Sequence, residues 1–207
     1  MNQFDHVESG LHVDALMSRL LLNSHLWDKN PCRLSMKGPH HETQDIFLRY
    51  KDETENLRTD DWSNFSDPHL PEWYESINHL PEARPLIFNV MHKSLAEMLG
   101  GVFIYKVQPG KRIYPHKDNG WHPEYFDKFN VCLQSNPQAA FCYDEARMIQ
   151  EPGDVHWFRN DIRHWVVNEG TTDHVVMTVC VRIDKGYRVP WSPEGWHPNN
   201  RFATQEA

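Results

Sequence analysis

Apolar positions recur along this chain with two different periods, and the change of period divides it. Residues 11–22 carry Val13, Leu16, Met17, Leu20 and Leu21 at three- and four-residue intervals, the stripe of an amphipathic helix. Residues 85–99 repeat the pattern with Ile87, Val90, Met91, Leu95 and Met98, which predicts a second helix packed on something apolar. Between them, Asp45-Ile-Phe-Leu-Arg-Tyr50 predicts a short strand. The polar, proline-bearing stretch 51–71 predicts a long loop, of the kind that often covers a site.

Near Gly100-Gly101 the period shortens to two. Short strands are predicted at 102–107, 112–118, 127–134, 139–144, 154–159 and 174–183, punctuated by Pro109-Gly110, Asn119-Gly120, Asn136-Pro137 and Pro152-Gly153. Side chains two apart share a face of a strand. In 174–183 one face carries Val175, Met177, Val179, Val181 and Ile183, and the other His174, Val176, Thr178, Cys180 and Arg182. In 127–134 the faces are Phe129, Val131 and Leu133 against Lys128, Asn130 and Cys132. One side packs and the other lines a polar cavity, which predicts an all-β barrel or jelly roll with the helices of the first half packed on it. With no repeat or low-complexity linker, residues 1–207 are expected to form one domain: a helical and irregular part (1–100), a jelly-roll core (101–184) and a tail (185–207).

Composition narrows the partners. Asp and Glu number 29 against 21 Lys and Arg, a formal net charge of −8, which disfavours a phosphate backbone as ligand. No apolar run approaches the ~20 residues of a membrane span. The N-terminal MNQFDHVESG has neither the basic nor the apolar region of a secretory signal, so the expected location is the cytoplasm. Cys32, Cys132, Cys142 and Cys180 form no C-x-x-C pair and are expected to be buried, reduced thiols.

The candidate chemistry centres on Arg112-Ile-Tyr-Pro-His-Lys-Asp118. In an extended chain His116 and Asp118 point the same way and can reach one metal ion. His164 can supply the third ligand of a two-histidine, one-carboxylate set, which leaves positions open for a chelating co-substrate and O₂ on non-haem Fe(II). His122-Pro-Glu124 offers a competing pair, and His156, His174 and His197 compete with His164. His116 is favoured over His122 because it follows a turn within a strand pattern, whereas a proline follows His122 in a loop.

Several ordered motifs resemble one family. They are Tyr105-Lys-Val-Gln-Pro-Gly110, Tyr114-Pro-His-Lys-Asp118, Lys128-Phe-Asn-Val-Cys-Leu133, Glu151-Pro-Gly-Asp154 and Arg163-His-Trp-Val-Val-Asn-Glu-Gly170, with a looser match at 40–49. Together they resemble the aspartyl/asparaginyl β-hydroxylase-like branch of the Fe(II)/2-oxoglutarate-dependent dioxygenases. The resemblance implies a double-stranded β-helix of the cupin type, iron ligands at His116, Asp118 and His164, and 2-oxoglutarate as co-substrate. It implies hydroxylation of an aspartyl, asparaginyl or prolyl residue in a peptide or protein, or of a related free amino acid.

Family members carry an arginine ten residues after the distal histidine, where it binds the 5-carboxylate of 2-oxoglutarate. Here that position is His174. Histidine offers one or two N–H donors in place of a planar, permanently charged fork. Arg182 shares its face, but eight residues along a strand is about 26 Å, too far to substitute. The resemblance also places a basic residue at Lys128 and a hydroxyl-bearing one at Tyr105, so the expected dicarboxylate site is Lys128, His174 and Tyr105 together. Arg49, Trp121, Trp157, Arg159 and Trp165 are candidate substrate contacts, aromatic walls with arginines suiting an amino-acid or peptide substrate. The segment from Trp191 to Pro198 reads as a lid or a surface tail. A non-oxidative cupin that binds a metal and a small acid without turnover is the alternative, favoured by the missing arginine.

Overall fold

The computed structural model describes residues 2–30, 38–64 and 67–183. Two antiparallel sheets dominate them. The larger has seven strands in the order β1-β9-β6-β11-β4-β2-β3 and the smaller four in the order β5-β10-β7-β8. The strands are β1 (Phe4–Glu8), β2 (Gln44–Tyr50), β3 (Glu72–Trp73), β4 (Ala96–Val107), β5 (Arg112–His116) and β6 (Asp127–Gln134). There follow β7 (Ala139–Tyr143), β8 (Arg147–Met148), β9 (Val155–Phe158), β10 (His164–Asn168) and β11 (His174–Ile183). The arrangement is the double-stranded β-helix, or jelly roll, expected from the strand rhythm.

Alternation along the central strands produces two kinds of interior. The outward face of the large sheet supplies Phe129, Val131, Val175, Met177, Val179 and Val181 to the largest core. Helices Asp14–Leu22 and Ala83–Ser94 cover it with Leu16, Leu20, Leu86, Ile87 and Val90. Burial of an aliphatic or aromatic side chain of this size contributes roughly 1.5–3 kcal/mol, so this layer anchors the helices to the barrel. A second core, including Tyr105, Val107, Ile113, Phe141, Val166 and Val176, fills one end of the space between the sheets. Phe47, Tyr50, Phe103, Phe126 and Cys180 form a third.

The structure moves several predicted boundaries. The second helix stops at Ser94, where Leu95 takes a left-handed conformation (φ 51°), and Ala96–Leu99 already belong to β4. The apolar spacing through Met98 is compatible with both periods, and pairing of Ala96, Met98 and Leu99 with β11 decides for the strand. Gly100 and Gly101 therefore lie inside β4, where a Cβ at Gly100 would sit 2.7 Å from the Phe126 ring and one at Gly101 2.9 Å from the Phe103 ring. The stretch 51–71 contains a helix, Thr54–Thr59, begun by the Asp52 carboxylate accepting the Thr54 N–H at 2.9 Å. Lys51 is buried there and donates to the Asn64 carbonyl at 2.7 Å. Strands β1, β3, β8 and β10 lie outside the predicted rhythm. Cys132, Cys142 and Cys180 are buried as expected, whereas Cys32 and the segment Trp191–Pro198 lie outside the described residues. Among the described residues, no helix is long and apolar enough to cross a membrane.

Candidate metal centre

The smaller sheet brings the predicted ligands together. β10 pairs with β5 so that His164 lies opposite His116, and the two ring centroids are 4.4 Å apart. Asp118 sits just beyond the end of β5, its backbone N–H held by the Asn160 carbonyl at 3.0 Å, and its Oδ1 is 3.5 Å from His116 Nε2. One ligand atom from each of the three residues lies within 4.8 Å of the others.

Backbone carbonyls set the tautomers. His116 Nδ1 donates to the Tyr114 carbonyl at 2.7 Å and His164 Nδ1 to the Ile162 carbonyl at 2.9 Å. Because a carbonyl can only accept, the proton of each neutral ring is on Nδ1 and the Nε2 lone pair is left for a metal. Phe141 stacks on His164 with centroids 5.4 Å apart and planes 8° from parallel, which fixes the ring orientation.

Electrostatics keep the acidic ligand ionised. Burial alone would push the Asp118 carboxyl up, but the Lys128 ammonium, with His116 and His164, holds it well below the usual carboxylate range. Lys128 Nζ donates to Asp118 Oδ2 at 2.6 Å, leaving Oδ1 turned toward His116. Burial draws His164 down to about 4, so its imidazole is neutral and ligand-competent near neutral pH. Two imidazoles and a carboxylate with free positions fit the facial donor set of non-haem Fe(II).

These residues open onto a cavity of about 410 Å³ between the sheets. Its polar wall includes Lys117, Lys128, Asn130 and Thr178, and its aromatic wall Tyr50, Phe103, Tyr105 and Phe141. Asn130 has a role that the alternation alone could not assign. Its Oδ1 accepts from Thr178 Oγ1 at 2.8 Å, and its Nδ2 is buried without a hydrogen-bond partner. The signal in the sequence was its place on the Lys128 face of β6.

The other predicted positions divide. Tyr105 lines the cavity. His174 stands behind it, with ring centroids 6.4 Å apart, and is not on the cavity wall. Ser135 Oγ is 3.0 Å from His174 Nδ1, and Nε2 is buried without a partner. Burial lowers His174 to about 4, so it is neutral and brings a hydrogen bond rather than a charge.

None of the five candidate substrate contacts lines the cavity. Trp157 faces the outer core and donates to Asp127 Oδ1 at 3.2 Å, and Trp165 alternates with His164 to the outside, where Arg163 covers its ring. Arg49 stacks over Trp73, Arg159 pairs with Asp161 at 2.7 Å, and Trp121 packs on Tyr125 and His69. The aromatic residues that do line the cavity include Tyr50, Phe103, Tyr105, Phe141 and Phe158.

Competing histidines are accounted for by their surroundings. His122 Nε2 accepts the Gly101 N–H at 3.2 Å, and Glu124 on the same short helix is exposed. His122 also stacks with His69, which brings the far end of the 51–71 stretch against this part of the cavity. His156 lies with His6 and Asp154 elsewhere in the molecule, and His197 is outside the described residues.

Fold and site define a class: a double-stranded β-helix with a His-x-Asp…His cluster on the wall of its internal cavity. A family model described as Aspartyl/Asparaginyl beta-hydroxylase matches residues 33–183, and the chain belongs to that family. Among solved structures, it is similar to an oxidoreductase of the 2OG-Fe(II) oxygenase family from Burkholderia pseudomallei. That likeness has a TM-score of 0.50 at 13% identity and covers 68% of this chain and 67% of the other. It is also similar to the viral collagen prolyl hydroxylase of Paramecium Bursaria Chlorella virus-1, with a TM-score of 0.47 at 11% identity over 88% of this chain and 97% of that one. No curated protein matches the sequence.

Proposed function

We propose that the chain is an Fe(II)- and 2-oxoglutarate-dependent oxygenase that hydroxylates an aspartyl, asparaginyl or prolyl residue of a peptide or protein, or a related free amino acid. The observation that carries this reading is the convergence of His116, Asp118 and His164 on one cavity wall, with both Nδ1 atoms tied to backbone carbonyls. His116, Asp118 and His164 hold the iron. When bound, iron and 2-oxoglutarate would activate O₂, one of whose atoms enters a substrate C–H bond as hydroxyl while the other enters succinate as 2-oxoglutarate loses CO₂.

The chain's own part is positioning and exclusion of water. Lys128 orients Asp118 and keeps it ionised, and from the cavity wall its ammonium also attracts an acidic co-substrate. Lys128 and Tyr105 on the cavity wall take the dicarboxylate together with His174, which stands behind Tyr105 and offers a neutral imidazole where a guanidinium would otherwise stand. Asn130 Nδ2 is a further donor for a bound carboxylate. Tyr50, Phe103 and His122 replace the tryptophans expected from the sequence as the wall for the prime substrate. The chain works as a single domain in the cytoplasm, on amino-acid or peptide substrates and O₂ rather than on nucleic acid or membrane.

One observation favours a second reading, a metal-binding cupin that holds a small acid without turnover. His174 is neutral and stands behind the cavity wall rather than on it. Anaerobic titration with Fe(II) and then 2-oxoglutarate separates the two. The oxygenase is expected to develop the weak visible charge-transfer band of the chelate, absent in His116→Ala, and to turn over 2-oxoglutarate more than ~100-fold faster than that variant. Metal binding without the band would sink the oxygenase reading in favour of the second.

A further inference from the structure

A second set of metal-ligating groups lies where the edge strand β1 pairs with β9, and none of its members lines the cavity. His6 and His156 are directly opposite in the β1–β9 register, with ring centroids 5.1 Å apart. Asp154 comes from the turn that precedes β9. The Glu151 N–H binds its Oδ2 at 2.9 Å, which leaves Oδ1 facing Ser9 Oγ at 2.7 Å and His6 Nε2 at 3.9 Å. A register shift between His6 and Glu8 accompanies the approach of Ser9, whose hydroxyl spans the gap between imidazole and carboxylate.

A ring nitrogen of each histidine and a carboxylate oxygen of Asp154 lie within 4.8 Å of one another. Ligand atoms about 2.0–2.2 Å from a tetrahedral ion stand roughly 3.4 Å apart. His6 Nε2 is 3.9 Å from Asp154 Oδ1, and its side chain, 52% exposed, has room to move toward a shared ion. The buried side of the cluster is already polar. Gln150 is 2% exposed, its Nε2 is 3.4 Å from His156 Nδ1, and its Oε1 is buried without a hydrogen-bond partner. Two imidazoles, one carboxylate, a neighbouring hydroxyl and an unpartnered buried amide oxygen are the nitrogen and oxygen donors that a divalent cation takes.

We propose that His6, Asp154 and His156 form a second, structural site for a zinc-type divalent cation, with Ser9 Oγ, Gln150 Oε1 or water completing four-coordination. The ion clips β1, an edge strand of the large sheet, to β9. Binding to the folded chain alone then stabilises it by mass action. This inference does not depend on the proposed oxygenase chemistry.

The test is zinc titration of the full chain carrying His164→Ala, which disables the cavity site, with and without His6→Ala. With His6 present, one equivalent of zinc is expected to bind. Zinc at about 100-fold above its dissociation constant then raises the melting temperature by roughly 5–10 °C. Both the equivalent and the rise are expected to disappear with His6→Ala, an exposed position at which the chain still folds. A melting temperature unmoved by zinc in the His164→Ala chain, or a rise that persists when His6 is also replaced, would overturn the proposal.

Discussion

The two faces of β6 and β11 are made by the same strands, yet they do opposite work. Outward, Phe129, Val131, Met177 and Val179 are almost wholly buried against helices and meet only apolar neighbours. Inward, on the alternate positions of the same strands, Asn130, His174 and Thr178 are buried and Lys128 half-buried among partners chosen by hydrogen bonding and charge. The outer face stabilises by area. The inner face is kept polar at a cost, since every buried polar group there needs a partner, and Asn130 Nδ2, on the cavity wall, is a buried donor without one.

Substitutions on each face should therefore differ in kind as well as size. The largest stability effect is expected from Phe129→Ala, a fully buried ring on the outer face. Denaturant unfolding should show a loss of about 3–5 kcal/mol, with iron affinity of the folded protein unchanged. A change in iron affinity would break the separation between faces.

The next effect is an acid slope. His174 titrates at about 4 in the folded chain and near its ordinary 6.5 when unfolded, because burial outweighs the favourable contact with the Gln134 backbone. Between these values the unfolded chain binds the proton and the folded chain does not. Stability is thus complete above pH 6.5 and falls by up to about 3 kcal/mol as the pH drops to 4. His174→Gln should flatten that part of the pH–stability curve, and an unchanged slope would show that other groups carry it.

Thr178→Val keeps the shape but removes the donor to Asn130 Oδ1, and is expected to cost about 1–3 kcal/mol and to weaken 2-oxoglutarate binding. Calorimetric titration of the iron-loaded variant checks the second part. Smallest is Trp157→Phe, which gives up one hydrogen bond to Asp127 and some packing, about 1 kcal/mol. It should leave KM for any substrate unchanged, because Trp157 faces the outer core. A raised KM would return that tryptophan to the substrate wall.

What could be read from the chain follows from the range of the forces involved. Val175, Met177, Val179 and Val181 announce a buried face two residues at a time, and Pro109-Gly110 or Pro152-Gly153 announce the turns, because alternation and turn conformation are local properties. Strand β10 escaped the strand pattern although His164, Val166 and Asn168 alternate with Trp165 and Val167. Its three consecutive apolar residues, Trp165, Val166 and Val167, hide the two-residue period, so it was legible only as a motif. The start of β4 was ambiguous for a related reason: the apolar spacing around Leu95 and Met98 suits a helix as well as a strand, and only pairing with β11 chooses.

The site divides in the same way. The candidacy of His116, Asp118 and His164 was visible in their residue types and spacing, and the neighbourhood of His116 and Asp118 follows from extended geometry alone. Tertiary structure decided the rest. Pairing of β5 with β10 sets His164 opposite His116, backbone carbonyls choose which nitrogens are free, and Lys128 reaches Asp118 from another sheet. It also sent the expected tryptophans and arginines away from the cavity and set His6 beside His156. Such contacts join residues remote in the chain, and no local pattern encodes them: periodicity reports which face a side chain occupies, whereas the register between distant strands determines what it meets there.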